Sequence, residues 1–327
     1  MAASTGVAAP SGAIELLTIG RVSVDLYAEQ VGAPLRDVST FRKSVGGTAT
    51  NVAVAAARLG HHSAVWTRVG ADAFGDYVRW ALEHTFAVDT RFVGRDATVR
   101  TPLAFAELAP PEDPTLIFYR EPRAPDMNLV PADVDEALVR EVPILWIAAS
   151  NVAWEPSRST MHQVLAWRSR RAHTVLDLDW RPQLWPTPAD GPAQIGALLD
   201  HVTIAIGNRA ECEIAVGTAD PDDAADRLLA RGLETVVVKL GGDGVLVATA
   251  DGGRERVAPF PVQAVCGLGA GDAFGGAFCH GLLTGLPPAE CARLGNAAGA
   301  IVAGRLMCAD DMPTLADLDA LLADRPG

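Results

Sequence analysis

The sequence predicts a doubly wound α/β domain, in which helices cover both faces of a mostly parallel β-sheet, with a small second β-sheet beside it. Short apolar stretches recur along the chain. Most of them are continuous rather than alternating, as is typical of strands buried on both faces. Helical patterns separate these stretches, and strands that alternate with helices build a parallel sheet. Two segments interrupt the alternation, and they predict the small sheet.

The predicted strands of the large sheet are short and rich in apolar and β-branched residues. In chain order they are IELLTIG (14–20), AVWTRVG (64–70), PILWIAA (143–149), TVLDLD (174–179), VTIAIG (202–207), TVVVKLG (235–241) and GVLVAT (244–249).

The predicted helices lie between these strands, where apolar residues recur at the helical period. They cover residues 48–59, 73–85, 157–171, 221–231, 272–284, 288–303 and 314–323.

Residues 21–45 and 98–123 contain extended stretches and turns but no helical pattern, and the proline-rich APPEDP (109–114) is a predicted turn. Two strand-rich excursions from one α/β body can pair into a small sheet that acts as a lid. The predicted division is therefore a flexible tail (1–12), an α/β body (13–20, 46–97 and 124–327) and a β lid (21–45 and 98–123).

Composition excludes several classes of protein. The 327 residues are 49% hydrophobic, so the chain can form a large core. The net charge of −13 argues against a nucleic-acid partner and means that an anionic ligand would need specific arginines. No apolar stretch is long enough for a membrane span, and the first residues do not resemble a signal peptide. The five cysteines are scattered, which is typical of free thiols, and a cytoplasmic protein is predicted.

A glycine-rich stretch, CGLGAGDAFGGAFCHG (266–281), places Asp272 where a loop becomes a helix. In one interpretation the aspartate only caps the helix and interacts with its dipole. In the other, the backbone amides form an anion site and Asp272 is a base that faces the bound group. This stretch alone leaves both interpretations open.

A second glycine motif, GGTATNVAVAAARLG (46–60), precedes a predicted helix. The bare amides of Gly46 and Gly47, together with the side chain of Asn51, can bind hydroxyl groups of a small polar ligand. The alternative is that the two glycines merely end a strand. The chain contains neither a G-x-x-x-x-G-K-[ST] motif nor a G-x-G-x-x-G motif after the first strand, which argues against P-loop enzymes and dinucleotide dehydrogenases.

Polar residues follow several predicted strands, at the end of a parallel sheet where ligands bind. They are Asp25, Asp179, Arg181, Asn208, Glu211 and Lys239, and Gly241 follows shortly after Lys239.

In combination and in this order, the two glycine motifs resemble the signatures of the ribokinase (PfkB) family of carbohydrate kinases. NRAE (208–211) is similar to the N-x-x-E motif of that family, and VVVKLGGDG (236–244) is similar to its nucleotide-binding strand and turn. The resemblance covers nearly the whole chain. It implies a ribokinase-like fold and transfer of a phosphoryl group from ATP, with Mg²⁺, to a sugar hydroxyl.

The resemblance also implies roles for the late motif. The amides of Gly269, Ala270 and Gly271 would hold the transferring phosphoryl group, and Asp272 would take the proton of the substrate hydroxyl. Such a reaction requires stabilised phosphoryl oxygens and an aligned nucleophile. The helix dipole is expected to keep Asp272 ionised.

For the nucleotide, the resemblance implies binding by residues of the later half of the chain: Asn208, Glu211, Lys239, Gly241, Gly244 and Asn296. No side chain is predicted as a direct metal ligand, and Glu211 is the candidate for holding Mg²⁺ through water. Many members of the family carry an aspartate near the late motif that helps to bind a monovalent cation. Here the sequence is Cys266-Gly267-Leu268, so dependence on such a cation is left open.

Residues 20–47, 116–129 and 177–185, and the ending AGAIVAGRLMCADDMPT (298–314), resemble a subfamily that phosphorylates the 6-hydroxyl of 5-dehydro-2-deoxy-D-gluconate during myo-inositol breakdown. A sugar acid brings a carboxylate, which arginine binds in a bidentate manner. The predicted substrate-binding residues are Asp25, Gly46, Gly47, Asn51, Arg120 and Arg181.

Other functions remain open from the sequence. A 2-keto-3-deoxygluconate kinase, or another sugar kinase of the family, would need the same arginines and the same base. A non-catalytic sugar-binding regulator is a function of a different class, but the intact Asp272 and anion loop argue against it. An apolar outer face and open edges of the lid predict a homodimer formed through the lid.

Overall fold

The computed structural model describes residues 12–110, 114–171 and 173–323. The predicted tail, apart from residue 12, and the middle of the predicted turn at 109–114 lie outside the described residues.

Thirteen strands are present in the described part of the chain. They are β1 (Leu16–Ile19), β2 (Ser23–Ala28), β3 (Phe41–Gly46), β4 (Ser63–Gly70), β5 (Val93–Asp96), β6 (Leu103–Glu107), β7 (Thr115–Tyr119), β8 (Ile144–Ala148), β9 (His173–Asp177), β10 (Ile204–Asn208), β11 (Thr235–Lys239), β12 (Val245–Thr249) and β13 (Arg254–Val257).

Ten α-helices are present in the same residues. They are α1 (Thr48–Arg58), α2 (Ala73–His84), α3 (Glu136–Glu141), α4 (Ser157–Arg168), α5 (Gly191–Leu199), α6 (Arg209–Val216), α7 (Pro221–Ala230), α8 (Ala270–Leu283), α9 (Pro288–Ala303) and α10 (Leu315–Ala323).

The large sheet has nine strands in the order β13-β12-β11-β10-β9-β8-β1-β4-β5. The pairs β11–β12 and β12–β13 are antiparallel and the other neighbours are parallel. The register is level in the centre, where Ile19 of β1 lies opposite Trp66 and Ile147. The predicted mostly parallel α/β sheet is thereby confirmed. The carboxyl ends of its central strands lie side by side at one end of the sheet.

The core lies on both faces of this sheet, because neighbouring strand residues point to opposite sides. Leu16 and Trp146 pack with Phe274 and Phe278 of α8. Leu17 and Leu145 belong to the other core layer, which contains residues of α4, α5, α6 and α7. The near-continuous apolar sequence of the strands follows from this burial on both faces.

The sequence-based assignment missed five elements: β5, β13, α3, α5 and α6. The sequences of β5 and β13, VGRD and RERV, carry charged residues because both strands lie at an edge of the sheet. The helices α3 and α6 have only 6 and 8 residues, too few for a period of 3.6 to be recognised.

The small sheet has four strands in the order β3-β2-β6-β7, and all four come from segments 21–46 and 98–123. Alternation divides its residues between two faces. One face, which carries Asp25, Ala104 and Phe118, lines a cavity. On the other face Phe105 contacts both Phe41 and Tyr119, with ring centroids 5.4 Å apart in each case.

The outer face of the small sheet is partly apolar. Tyr119 is 63% exposed, and Leu26 and Phe105 are half-buried. Val24 lies on the same face of β2 as Leu26, but it is fully buried because it packs into the core beside β4 and α2. In the described part of the chain, no helix is both long and apolar enough to cross a membrane.

Candidate active site

A cavity of about 400 Å³ lies at the carboxyl edge of the large sheet, beneath the inner face of the small sheet. The residues that follow the strands converge there, because parallel strands all end at the same edge. We call it the central cavity. It is lined by Arg21, Asp25, Gly47, Asn51, Asp177, Asp179, Arg181, Asn208, Glu211, Lys239, Gly241, Gly269, Gly271 and Asp272, among others.

A second cavity of about 490 Å³, here called the outer cavity, is more apolar. Its walls include Phe260, Val262 and Phe274, together with the predicted nucleotide-binding residues Gly244 and Asn296. The Asn296 side chain donates to the carbonyl oxygen of Ala258 at 2.9 Å, which fixes its position on the wall.

The two cavities meet at the late glycine motif. Lys239, Gly241 and Gly271 line both of them, Ala270 lines the outer one, and Asp272 lines only the central one. A molecule in each cavity would therefore reach the other at the start of α8, with the Asp272 carboxylate on the central side.

The start of α8 is open to an anion. Its N-cap is Gly269, which has no side chain, and no side-chain cap is present. Gly269 has a φ of +80°, and a Cβ at this position would lie 2.5 Å from the Sγ of Cys308. Unpaired amides at the positive end of a helix form an anion site.

Asp272 does not cap its own helix in the structure. Its Oδ2 accepts a hydrogen bond of 2.7 Å from Nδ2 of Asn51. Burial raises the pKa of Asp272 to about 6, and the Asn51 hydrogen bond and the charges of Arg21 and Lys239 oppose that rise. With a pKa of about 6, Asp272 is still mostly ionised at neutral pH, although burial opposes its ionisation.

The early motif supports the other side of the central cavity. Asp25 is buried and accepts from the hydroxyl groups of Ser23 at 2.6 Å and Tyr27 at 3.3 Å. Burial raises the pKa of Asp25. A Cβ at Gly46 would lie 2.0 Å from Oδ2 of Asp25, so a glycine is needed for this carboxyl group to lie against the strand. Gly47 and Asn51 line the cavity directly.

Asn208 and Glu211 form a capping box at the start of α6. The Asn208 side chain accepts from the amide of Glu211 at 2.9 Å, and the Glu211 carboxylate accepts from the amide of Asn208 at 2.7 Å. Both residues line the central cavity rather than the outer one. Within residues 12–110, 114–171 and 173–323, no group of three or more His, Cys, Asp or Glu side chains could hold a metal ion.

Lys239 is the cation at the junction of the two cavities. Its ammonium group makes no hydrogen bond or ion pair with any residue that the structure describes. Burial alone would lower its pKa, but the carboxylates of Glu211, Asp177 and Asp272 outweigh that effect and the pKa is raised. A charged, unpaired lysine is thus available to anionic groups in either cavity.

The two predicted carboxylate-binding arginines lie in different places. Arg181 lines the central cavity, its side chain is 45% exposed, and its Nε lies 3.7 Å from Oδ1 of Asp179. Arg120 is buried and its Nη2 donates to Asp126 at 2.5 Å. It lines a side cavity of about 380 Å³ with Met127 and is absent from the wall of the central cavity.

The sequence analysis missed two charged residues of the central cavity. Arg21 immediately follows the turn after β1, and Asp177 is the last residue of β9. Burial raises the pKa of Asp177. Both residues could have been found from the sequence, because each is a charged residue near the end of a predicted central strand. Arg21 follows the first strand of the large sheet more closely than Asp25 does.

Three comparisons with known proteins show the family and the fold of this chain. The model of the pfkB family of carbohydrate kinases matches residues 13–315 of this chain. A curated relative, 5-dehydro-2-deoxygluconokinase 2 from Bacillus cereus, is 32% identical over 318 residues, which cover 94% of this chain and 95% of the relative.

Among solved structures, a fructokinase from Vibrio cholerae O395 with fructose, ADP and a calcium ion is 25% identical, with a TM-score of 0.83 over 94% of this chain and 99% of that one. An uncharacterized sugar kinase from Pyrococcus horikoshii in complex with ATP is 25% identical, with a TM-score of 0.76 over 94% of this chain and 97% of that one.

Proposed function

The chain belongs to the pfkB family of carbohydrate kinases, and we propose that it transfers the terminal phosphoryl group of ATP to the terminal hydroxyl of 5-dehydro-2-deoxy-D-gluconate. The chain is thus a carbohydrate kinase. The observation that carries this proposal is the meeting of two cavities at the open start of α8, beside Asp272.

In this proposal ATP occupies the outer cavity and the sugar acid occupies the central one. The apolar wall around Phe260 and Val262 suits a nucleotide base, and Gly241, Gly244 and Asn296 suit its sugar and phosphates. The terminal phosphoryl group then lies against the amides of residues 269–271. Lys239, which no carboxylate pairs directly, supplies positive charge to the phosphoryl oxygens as negative charge shifts during transfer.

Asp272 acts as the general base. It accepts the proton of the terminal hydroxyl while the hydroxyl oxygen bonds to phosphorus and the bond from phosphorus to the leaving ADP oxygen breaks. A base with a pKa of about 6 is mostly ionised at neutral pH and still basic enough to take a proton in the transition state. Asn51 holds the carboxylate in place, and Asp25 and Gly47 bind sugar hydroxyls.

Magnesium fits the site as a partner of the nucleotide rather than as a resident metal. The side chains of Glu211 and Asn208 line the central cavity, and Glu211 is close enough to Lys239 to raise the pKa of that lysine. Oxygen ligands such as theirs suit Mg²⁺. With no larger ligand group among the described residues, the ion would be held mainly by the phosphates of ATP, with Glu211 contacting it through water. Bound there, Mg²⁺ would neutralise phosphate charge.

The sugar acid is proposed from the relatives and from the charges of the cavity. The curated relative named above is a 5-dehydro-2-deoxygluconokinase. Arg181 offers a partly exposed guanidinium that can bind a carboxylate. On this basis we also propose a role in myo-inositol breakdown. We propose a cytoplasmic location as well, since all five cysteines are free thiols.

A homodimer formed through the small sheets is part of the proposal. Exposed Tyr119 and half-buried Leu26 and Phe105 form an apolar outer face, and β7 is an open edge strand. Pairing with a second copy would cover both the face and the edge.

The proposed function is tested by an assay that couples ADP release to a spectroscopic signal. The purified enzyme is given ATP, Mg²⁺ and one sugar at a time: 5-dehydro-2-deoxygluconate, 2-keto-3-deoxygluconate, fructose and ribose, each with and without potassium. We expect the highest kcat/KM with 5-dehydro-2-deoxygluconate. A higher kcat/KM with 2-keto-3-deoxygluconate would show that this sugar acid is the substrate instead. If no sugar led to ADP release, the proposed kinase activity would be wrong, and a non-catalytic sugar-binding protein would be the remaining alternative.

A further inference from the structure

Two arginines share one carboxylate on the wall of the central cavity. Nη2 of Arg21 lies 2.9 Å from each carboxylate oxygen of Asp179, and its Nε lies 3.2 Å from Oδ2. Nε of Arg181 lies 3.7 Å from Oδ1 of the same residue. All three residues line the cavity.

The net charge of this group differs from that of the other buried arginine nearby. Arg21, Asp179 and Arg181 together carry two positive charges and one negative charge. Arg120 instead pairs with Asp126 alone, whose side chain is 0% exposed, so that pair is neutral. Of these two groups, only the first carries a net positive charge; it lies on the wall of the central cavity, which Lys239 also lines, and one carboxylate would neutralise it.

Arg21 is held rigidly and still has a free donor. Its Nε also donates to Ser150 at 3.0 Å, and its Nη2 donates to Thr48 at 2.5 Å. Its Nη1 donates to none of the residues in the described ranges, although the side chain is only 5% exposed. A buried guanidinium on a cavity wall that lacks one partner is a ready donor for a ligand oxygen.

Asp179 is fixed in turn. Its carboxylate accepts from Ser150 at 2.6 Å and from Thr48 at 3.2 Å, in addition to Arg21. Its backbone has a positive φ of +23°, which is uncommon for a residue other than glycine. With both ends of the ion pair held, the guanidinium is oriented before any ligand arrives, which lowers the entropic cost of binding.

We propose that Arg21 is a substrate-binding residue that binds the carboxylate of the sugar acid together with Arg181, and that Asp179 is the positioning residue that holds both arginines. The inference rests on the proposed function, since it needs an acidic substrate. It assigns to Arg21 the role that the sequence suggested for Arg120. The terminal hydroxyl lies at Asp272 and the carboxylate lies at the Arg21–Arg181 side of the cavity.

The test compares Arg21→Gln with Arg120→Gln, a matched change at a second buried arginine, which forms its ion pair with Asp126 and does not line the central cavity. Each enzyme is assayed with 5-dehydro-2-deoxygluconate and with the neutral analogue in which a hydroxymethyl group replaces the carboxylate. Binding of both compounds without nucleotide is measured by calorimetry. The Arg21→Gln variant is expected to lose about 30-fold or more in kcat/KM and in affinity for the acid, with little change for the analogue. Arg120→Gln should affect both compounds equally.

The outcomes separate the inference from the function. If the wild-type enzyme prefers the acid but Arg21→Gln loses equally on acid and analogue, Arg21 is structural and the inference is overturned. If the wild-type enzyme shows no preference for the acid, the proposed substrate is wrong and the inference falls with it. Should the glutamine variant fail to fold, Arg21→Lys keeps the charge opposite Asp179 but loses the planar fork. Its KM for the acid should rise about 10-fold, and an unchanged KM would overturn the inference.

Discussion

Asn51 and Asp272 lie 221 positions apart in the sequence and are joined by a hydrogen bond of 2.7 Å between Nδ2 and Oδ2. Asn51 belongs to the first turn of α1 and Asp272 to the first turn of α8, so the bond links the two glycine motifs. It also opposes the rise that burial causes in the pKa of Asp272. A residue of the early motif thus lowers the pKa of Asp272, the proposed base in the late motif.

Replacement of Asp272 by asparagine removes the proton acceptor and keeps the shape of the side chain. We expect kcat to fall about 10²- to 10⁴-fold, the usual contribution of a general base, while calorimetric ADP binding stays close to that of the wild-type enzyme. Asp319→Asn, an exposed change on α10, is the control and should leave kcat unchanged. A variant that keeps more than about a tenth of the wild-type kcat would exclude Asp272 as the base.

The activity should fall in acid as Asp272 becomes protonated. Because the pKa of Asp272 is raised to about 6, kcat/KM is expected to decrease below about pH 6 and to level off above pH 7. Asn51→Leu removes the hydrogen bond that stabilises the ionised carboxylate, so its acid limb should move upward by about one to two pH units. The measurement is a pH profile of kcat/KM for both enzymes. Identical acid limbs would show that Asn51 does not control this ionisation.

A side chain at Gly269 should disrupt the anion loop. Gly269→Ala strains a backbone at φ +80° and also places a methyl group 2.5 Å from the Sγ of Cys308. Gly285→Ala is the matched control, because Gly285 has a φ of +78° and no atom within 4 Å of the new Cβ. Thermal unfolding should show a loss of about 1–2 kcal/mol for Gly285→Ala from backbone strain alone.

The Gly269→Ala variant should lose more stability than this control and should also lose most of its kcat. If both variants unfold alike and both keep full turnover, the close packing of the loop against Cys308 has no role in binding the phosphoryl group.

Lys239 can be tested against the only other lysine of the chain, Lys43. Lys239→Met should lower kcat by about 10²-fold or more, since it removes a preorganised positive charge from the junction of the two cavities. Lys43→Met removes an exposed lysine that lies 3.8 Å from the ring of Tyr77, and it should leave kcat within about twofold. Steady-state ADP release measures both. Equal kcat values for the two variants would contradict the role proposed for Lys239.

The small sheet is expected to close when the sugar acid binds. Closure keeps water from the reacting phosphoryl group and brings Asp25 over the ligand. Hydrogen exchange at saturating sugar acid should show a larger increase in protection in residues 21–45 and 98–123 than in β8 and β9. Unchanged exchange in both lid segments would argue for a rigid sheet.

The proposed dimer predicts that Tyr119→Asp yields a monomer at micromolar concentration, because it places a charge on the apolar outer face of the small sheet. Leu315→Asp is the control, since Leu315 is 41% exposed on α10. Light scattering gives the mass of each protein. A wild-type enzyme that is itself monomeric would exclude the dimer.

The fold class and the family could be predicted from the sequence alone. A continuous apolar strand indicates burial on both faces of the sheet. The glycines and Asp272 of the late motif lie within one turn at the start of α8. Features of this kind are local, so they can be read in order along the chain. For the same reason the charged edge strands β5 and β13 were missed, since edge position depends on the whole sheet.

Which charged residues pair could not be predicted from the sequence, because the partners lie far apart along the chain. Arg21 and Asp179 are 158 positions apart, and neither sequence neighbourhood indicates that they pair. The sequence suggested Arg120 and Arg181 equally as carboxylate-binding residues. In the structure Arg120 forms an ion pair with Asp126 and lines a side cavity. A charge is available to a ligand only if no neighbour neutralises it. That condition depends on distances of a few ångströms between distant segments, which only folding establishes.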